Sequence, residues 1–411
     1  MHCKLWAAFV VAWAVVCPAQ EAGDAQHEEC TVGVAAGRAT ADGRPLLWKN
    51  RDAHKRDNVV LALADGKLPY FALCDAGNAA AVWGGANVAG FAIVNSVARD
   101  LPQGAAEGPG NGAFMKRALQ QCASVAEFEA LLQQTDGHRR TRANFGVIDA
   151  AGGAAFFEAG HATFTRFDAD KSDTGVLVRT NFATTTKGER GKERCERASQ
   201  IVASPAARAL TPRFLLQQFL RDLKPPPSAA NGGKGRLDAR ETICRQTTVA
   251  ALVLHGVKAG EDAKWTTMWA MLGPPLFTMA VPLFPAAGAV PLAVAGDPAS
   301  AICAQGQRLA SAFWVDAAAP GEPDSDPPEE AELAGPLRWL RTDTMPAARR
   351  AILFGEAEVL ARHEEAVFAW RKAGPAPAPA ALRQFQEAMA KLVLRNLTEL
   401  AEAQAAVGAG K

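Results

Sequence analysis

Apolar and polar positions alternate soon after a polar lead-in. Cys30-Thr31-Val32-Gly33-Val34 opens the pattern, a turn follows at Asp42-Gly43-Arg44-Pro45, and Leu46-Leu47-Trp48 runs into a charged end, Lys49-Asn50-Arg51-Asp52. This predicts a β-hairpin with a thiol at its first residue and charges returned beside it. Further strands are expected over 59–63, 80–84 and 91–96, the last preceded by a turn at 87–90. The Gly- and Pro-rich stretch 100–112 reads as a loop, and 113–122 and 125–134 as helices, with Ser124 an N-cap for the second. A hairpin over 144–149 and 154–158 follows, then strands over 163–167 and 175–181, the latter ending in Arg179-Thr180-Asn181. A charged helix over 187–202, a helix opened by Thr211-Pro212, a loop over 225–233 and strands over 247–254 and 265–272 continue the chain. This order predicts an α+β fold, with antiparallel sheets and helices packed outside them rather than a parallel βαβ array.

Residues 319–332 are acidic and proline-rich and read as a linker. Beyond it, 347–373 and 379–407 have helical composition, and Leu382, Phe385, Met389, Leu392, Leu397 and Leu400 mark one apolar face. That face predicts a helical hairpin docked on the main domain. The expected organisation is a main domain over 30–318, a linker over 319–335 and a helical C-terminal extension over 336–411.

Composition narrows the function classes. The chain has 411 residues, 49% hydrophobic and 21% charged, with formal net charge +1. A large core is possible, and nothing points to nucleic acid or an anionic membrane as partner. His2 and Lys4 precede an apolar run over 5–16, too short to span a bilayer, and Cys17-Pro18-Ala19 supplies small residues for cleavage. A signal peptide over 1–19 and a secreted or periplasmic location are therefore expected. Lipid attachment at Cys17 is the weaker alternative, because Val16 is bulky where a small residue is preferred. The later apolar run 276–294 is broken by Pro282, Pro285 and Pro291, so no transmembrane segment is expected. Residues 20–29 are polar and acidic and read as a pro-segment.

Beyond the signal stand six cysteines: Cys30, Cys74, Cys122, Cys195, Cys244 and Cys303. Their spacing is neither CxxC nor regular, so neither a metal site nor a disulfide scaffold is expected, and no cofactor is implied. An exported chain that keeps a free thiol points to cysteine chemistry. The chain has 7 histidines, none in an evident cysteine–histidine motif. If Cys30 becomes the first residue, its own α-amine, with an ordinary pKa of about 7.7–8.0, can accept the thiol proton. Trp83, Trp265 and Trp269 read as core aromatics rather than walls of an acyl pocket.

The stretch CTVGVAAGRATADGRPLLWKNRD resembles the opening of the N-terminal-nucleophile (Ntn) hydrolases that act on linear amide C–N bonds. That branch includes penicillin V acylase, bile salt (choloylglycine) hydrolase, acid ceramidase and the acyl-coenzyme A:6-aminopenicillanic acid acyltransferase, and the chain most resembles the acyltransferase-like, peptidase C45 group. Further matches follow in order: Asn87 to Asn95, Asn144 to Asp149 with Glu158, Arg179-Thr180-Asn181-Phe182, a helix with Arg194 and Arg197, and Thr242-Ile243-Cys244-Arg245. They cover roughly residues 30–300. The resemblance implies a four-layer αββα sandwich of two antiparallel sheets and autocatalytic opening of the 29–30 bond. It implies that Cys30 is the nucleophile, that Asp52 holds its α-amine, and that Asn181, with Asn95 as a second donor, stabilises the oxyanion. Relatives carry arginine three residues before the aspartate. Here Lys49 stands there and the arginine is Arg51, so Lys49, Arg51 and Arg194 are candidates for substrate contact or tuning of the thiol. Cys244 reads as a core cysteine. The implied activity is an amidase or acylase acting on a small-molecule amide through a thioester on Cys30. An acyltransferase of the same fold and a non-catalytic binding homologue are the alternatives.

Overall fold

Two antiparallel sheets stack face to face, and the order of strands along the chain explains how. In the computed structural model, residues 28–104, 107–207, 209–296, 299–316 and 338–409 are described. The expected signal peptide, the Cys17 alternative, most of the pro-segment and the acidic linker lie outside these residues.

The chain begins with β1 (Glu29–Ala35) and β2 (Leu46–Asp52). It then lays down an up-and-down meander of seven neighbours: β3 (Asn58–Leu63), β4 (Tyr70–Asp75), β5 (Gly84–Asn87), β6 (Ala92–Val97), β7 (Ala143–Ile148), β8 (Ala154–Ala159) and β9 (Phe164–Asp168). Helices α1 (Asn111–Gln121) and α2 (Val125–Gln134) are inserted between β6 and β7. The chain then returns to the first sheet with β10 (Val176–Arg179), which pairs with the free side of β1. Helices α3 (Lys192–Val202) and α4 (Pro212–Gln217) and the short β11 (Arg236–Asp238) follow. β12 (Thr248–His255), β13 (Thr267–Leu272) and β14 (Val281–Leu283) complete a six-stranded sheet in the order β10-β1-β2-β12-β13-β14. After α5 (Leu292–Ala295) and α6 (Ala301–Ser311), β15 (Trp314–Asp316) and β16 (Arg338–Arg341) form a three-stranded sheet with β11. Two long helices, α7 (Met345–Ala373) and α8 (Pro379–Ala409), end the described chain.

Side-chain alternation builds the layers. On β4, Phe71 and Leu73 join the core shared with the six-stranded sheet, while Tyr70, Ala72 and Cys74 join the core under α1 and α2. β8 splits in the same way, with Phe156 on the first side and Ala155 and Phe157 on the second. A period of two divides each strand between two buried faces. The first core continues through the six-stranded sheet to α6, α7 and α8, through Ile302, Leu309, Ile352, Val359, Leu382 and Met389. The result is the expected α+β sandwich, helices outside two antiparallel sheets. No helix among the described residues is long and apolar enough to cross a membrane.

Several elements depart from expectation for identifiable reasons. β4 was not anticipated: both its faces are buried, so no polar alternation marks it. β5 starts where the strand expected over 80–84 ends. Its Gly84-Gly85 start carries no hydrophobic signal, and a Cβ on Gly85 would collide with the Phe71 carbonyl. β14 contains Pro282, which reads as a breaker but is tolerated because β14 is an edge strand. The charged helix begins only at Lys192, because Gly191 sits at φ 73°. Ser124 and Thr211 do cap their helices, accepting from the backbone N–H groups of Glu127 (3.1 Å) and Phe214 (3.0 Å).

α7 is tied to the sheet by charge as well as apolar packing. Glu356, fully buried, accepts from Arg221 at 2.7 Å and from the Ala280 N–H at 3.0 Å. Arg221 is equally buried and also donates to the Thr278 carbonyl at 3.1 Å. Glu356→Ala leaves that buried guanidinium without its carboxylate, and is expected to lower unfolding free energy by about 3–5 kcal/mol. Denaturant titration checks this; an unchanged midpoint would show that α7 does not contribute to the cooperative core.

Candidate active site

The register of the first hairpin decides which side chains meet. β1 and β2 pair Glu29 with Asp52, Cys30 with Arg51, Thr31 with Asn50 and Val32 with Lys49. Side chains opposite one another project to the same face. Cys30, Lys49 and Arg51 therefore share the face toward the seven-stranded sheet. Glu29 and Asp52 share the other, toward α3 and the segment leading into β12.

On the inner face, Lys49 is wholly buried and donates to Asn95 Oδ1 on β6 at 2.7 Å. That bond fixes the amide of Asn95 and leaves its buried Nδ2 without a hydrogen-bond partner. Arg51 is held by Glu28 (2.7 Å), Asp75 (2.7 Å) and Asn58 (2.6 Å), and its guanidinium lies 4.4 Å from the Trp83 ring centroid. Arg51 thus grips the residue two before Cys30.

On the outer face, Asp52 accepts from Thr248 Oγ1 at 2.6 Å through Oδ1. Its Oδ2 has no hydrogen-bond partner, although Arg245 and Arg194 stand 3.7 and 4.0 Å away. Glu29 is bound by Arg190 (2.7 Å), Arg194 (2.9 Å) and Arg245. Arg194 also donates to the Cys30 carbonyl at 3.2 Å and to Asn181 Oδ1 at 3.0 Å. Asn181 Oδ1 accepts a second bond from the Cys30 N–H at 3.1 Å, while Nδ2 donates to the Val97 carbonyl at 3.0 Å. Two donors on one side and a carbonyl on the other dictate which end of that amide is oxygen.

The chain is continuous through residues 29 and 30, and Cys30 is fully buried. Burial pushes its thiol up to about 11; Lys49 opposes this, Glu28 and Asp52 add to it, and the Asp52 backbone N–H opposes it. Burial likewise raises Asp52 to about 7, against the pull of Arg194 and the Thr248 hydroxyl. In the intact chain the thiol is protonated and sealed.

The structure thus gathers Cys30, Asp52, Asn181 and Arg194 around one peptide bond, and places Lys49 with Asn95 on the thiol's face. Arg51 reaches Glu28 instead of Asp52. Arg197 pairs with Asp222 at 2.5 Å and takes no part. Glu29, Arg190, Thr248 and Arg245 were not foreseen as site residues. Arg245 lies 216 residues from Glu29, and nothing local marks the meeting. All six described cysteines are free, and no group of His, Cys, Asp and Glu among the described residues is arranged to hold a metal. A cavity of about 340 Å³, lined by Asp42, His255, Trp265, Trp269 and His363, lies at the opposite end of the hairpin, where His255 pairs with Leu46. Six residues of strand separate it from Asp52, roughly 20 Å. Trp265 and Trp269 therefore lie away from the thiol, whereas Trp83 packs against Arg51 on the thiol's face of the hairpin.

No protein-family model matches the chain, and no curated protein matches it. Among solved structures it is similar to penicillin V acylase from Agrobacterium tumefaciens, at 13% identity over 62% of this chain and 86% of that one, with TM-score 0.38. It is similar to a Caenorhabditis elegans N-acylethanolamine-hydrolyzing acid amidase ortholog, at 16% identity over 55% and 92%, TM-score 0.39. It is also similar to a variant of conjugated bile acid hydrolase from Clostridium perfringens, at 12% identity over 59% and 89%, TM-score 0.35. Likenesses of this degree leave the activity of this chain to be argued from its own geometry.

The Glu29 carboxylate is expected to anchor the intact chain. In a Cys30→Ala background, Glu29→Ala should cost about 3–5 kcal/mol by stripping a buried carboxylate from its arginines. Denaturation of the two proteins measures the difference; equal stability would show that the anchor carries no free energy.

Proposed function

We propose that the chain is the precursor of a cysteine Ntn amidase that cuts linear amide C–N bonds, and that Cys30 becomes its first residue. One observation carries the reading: beside Cys30, Asp52 Oδ2 and Asn95 Nδ2 are buried without hydrogen-bond partners. An unpaired buried polar atom costs about 1–3 kcal/mol. These two are what the reaction needs, an acceptor for a cationic α-amine and a donor for an oxyanion.

Maturation begins with Cys30 Sγ attacking the Glu29 carbonyl carbon, its proton relayed to Asp52 through water. The C–N bond breaks, the nitrogen takes the proton, and Glu29 is left as a thioester on Sγ beside a free amine. Water hydrolyses the thioester and releases the leader with a terminal carboxylate. The new α-amine is held by Asp52 Oδ2 and Asn181 Oδ1.

In turnover the amine takes the thiol proton, as no separate histidine is needed. The thiolate attacks the substrate carbonyl, and the oxyanion is met by Asn95 Nδ2 and by the second N–H of Asn181 Nδ2. Such a donor is often worth about 3 kcal/mol. The Cys30 amine then protonates the leaving amine, and water discharges the acyl group. Lys49 positions Asn95 and favours the thiolate by its charge. Departure of Glu28 and Glu29 also opens access to the thiol and removes a carboxylate that raises its pKa. A signal peptide over 1–19 would deliver the precursor to an extracytoplasmic space with residues 20–29 still attached.

N-terminal sequencing and intact mass test the reading. Wild type is expected to begin at Cys30, and Cys30→Ala to retain residues 28–29. If both begin at the same residue upstream of Cys30, self-processing is rejected. The pH dependence follows from Asp52. Its carboxyl is raised to about 7, so the carboxylate that accepts the thiol proton is scarce below that value and gained as pH rises through it. Bond opening should accelerate about tenfold from about pH 6 to about pH 8. A rate that falls across this window would remove Asp52 from the role.

A further inference from the structure

We infer that the arginines holding Glu29 become, after its departure, a subsite for a carboxylate on the substrate's acyl group, so that the mature enzyme prefers amides of dicarboxylic half-acids of glutaryl length. This rests on the proposed maturation and names a substrate class for it.

The first step is chemical equivalence. Opening the 29–30 bond passes through a Glu29 acyl group on Cys30 Sγ beside a free α-amine. Turnover passes through a substrate acyl group on the same sulfur beside the same amine. The two intermediates differ only in the acyl group, so Glu29 is the enzyme's first acyl substrate. The transfer from nitrogen to sulfur runs through a five-membered ring, which moves the carbonyl carbon by about one bond length. Whatever accommodates the Glu29 side chain therefore remains within reach of an acyl group on sulfur.

The second step is what accommodates it. The Glu29 carboxylate bonds to Arg190 at 2.7 Å, to Arg194 at 2.9 Å and to Arg245. Arg194 and Arg245 are buried, while the Arg190 side chain is 24% exposed. Two other carboxylates touch the cluster: Asp52, and Glu241, which pairs with Arg194 at 3.3 Å and Arg245 at 2.8 Å. In the intact chain three guanidinium groups face three carboxylates. After cleavage the same three face two, and Asp52 acquires the Cys30 amine as a further partner. The cavity left by Glu29 is cationic and lined by fixed, planar donors, the arrangement that selects a carboxylate by bidentate hydrogen bonding.

Geometry sets the length. In Glu29 the carboxylate is separated from the reacting carbonyl by three carbons, Cα, Cβ and Cγ. An unbranched acyl group with that spacing is glutaryl. A pentanoyl group of the same chain length carries no charge and gives back none of the hydrogen bonds that Glu29 accepts from the three arginines, which costs more than the hydrocarbon returns.

The test uses mature protein whose first residue is Cys30. Alkylation of Cys30 by iodoacetamide is followed with glutarate or pentanoate present, and hydrolysis of N-glutaryl- and N-pentanoyl-4-nitroanilide is compared. Glutarate should slow alkylation and pentanoate should not, and kcat/KM should favour the glutaryl amide by about a hundredfold. Arg190→Gln should reduce that ratio severalfold. Equal or better hydrolysis of the pentanoyl amide overturns the inference and leaves the amidase reading standing. Protection by glutarate with neither amide hydrolysed keeps the carboxylate subsite and rejects the amidase reading. Neither protection nor hydrolysis, or a chain that never begins at Cys30, overturns both.

Discussion

Two carboxylates face each other across the first hairpin, Glu29 on one strand and Asp52 on the other, both buried. Like charges opposite one another in a sheet repel, and burial deepens the penalty. The surrounding structure answers that constraint. α3 delivers Arg194, the approach to β12 delivers Arg245, and Thr248 covers one Asp52 oxygen. The remaining Asp52 oxygen accepts no hydrogen bond, with Arg245 and Arg194 at 3.7 and 4.0 Å. Opening the 29–30 bond removes one of the opposed carboxylates and creates an α-amine beside the other.

The sandwich makes this possible by burying both faces of β2. Its inner face meets β6, where Lys49 grips Asn95; its outer face meets the arginines. A lysine at position 49 suits a contact of this kind. It offers a compact charge to a single amide oxygen, where an arginine would spread its donors over several acceptors. Arg51, two residues on, meets Glu28 instead and stacks over Trp83. The contacts with Glu28 and with Asn95 are divided between two cations of one strand.

Much of this was legible in the sequence, for physical reasons that can be named. The hairpin, the meander strands with clear alternation and the capped helix after Ser124 follow from local periodicity and turn chemistry. β4 was not legible, because a strand buried on both faces loses its alternation, and β5 was displaced because its glycines carry no hydrophobic signal. Cys30 entered through the chemistry of a thiol at the head of the hairpin, Asp52, Asn95 and Asn181 through resemblance, and the structure shows what each touches. Arg245 and Glu29 could not be paired in advance, since their contact depends on how β12 is set beside β2. Glu29 read only as the end of a polar leader, and its value as an anchor emerges from three arginines brought in from distant segments.

The central claim is that Cys30 acts as nucleophile with its own amine free. Acid quenching of the protein during turnover of an N-acyl amide, followed by peptide mapping of the adduct, addresses it directly. An acyl group is expected on Cys30 Sγ in a peptide whose first residue is Cys30 with an unmodified α-amine. An unmodified Cys30 thiol under turnover, or an acyl group on a chain still joined to Glu29, would contradict it.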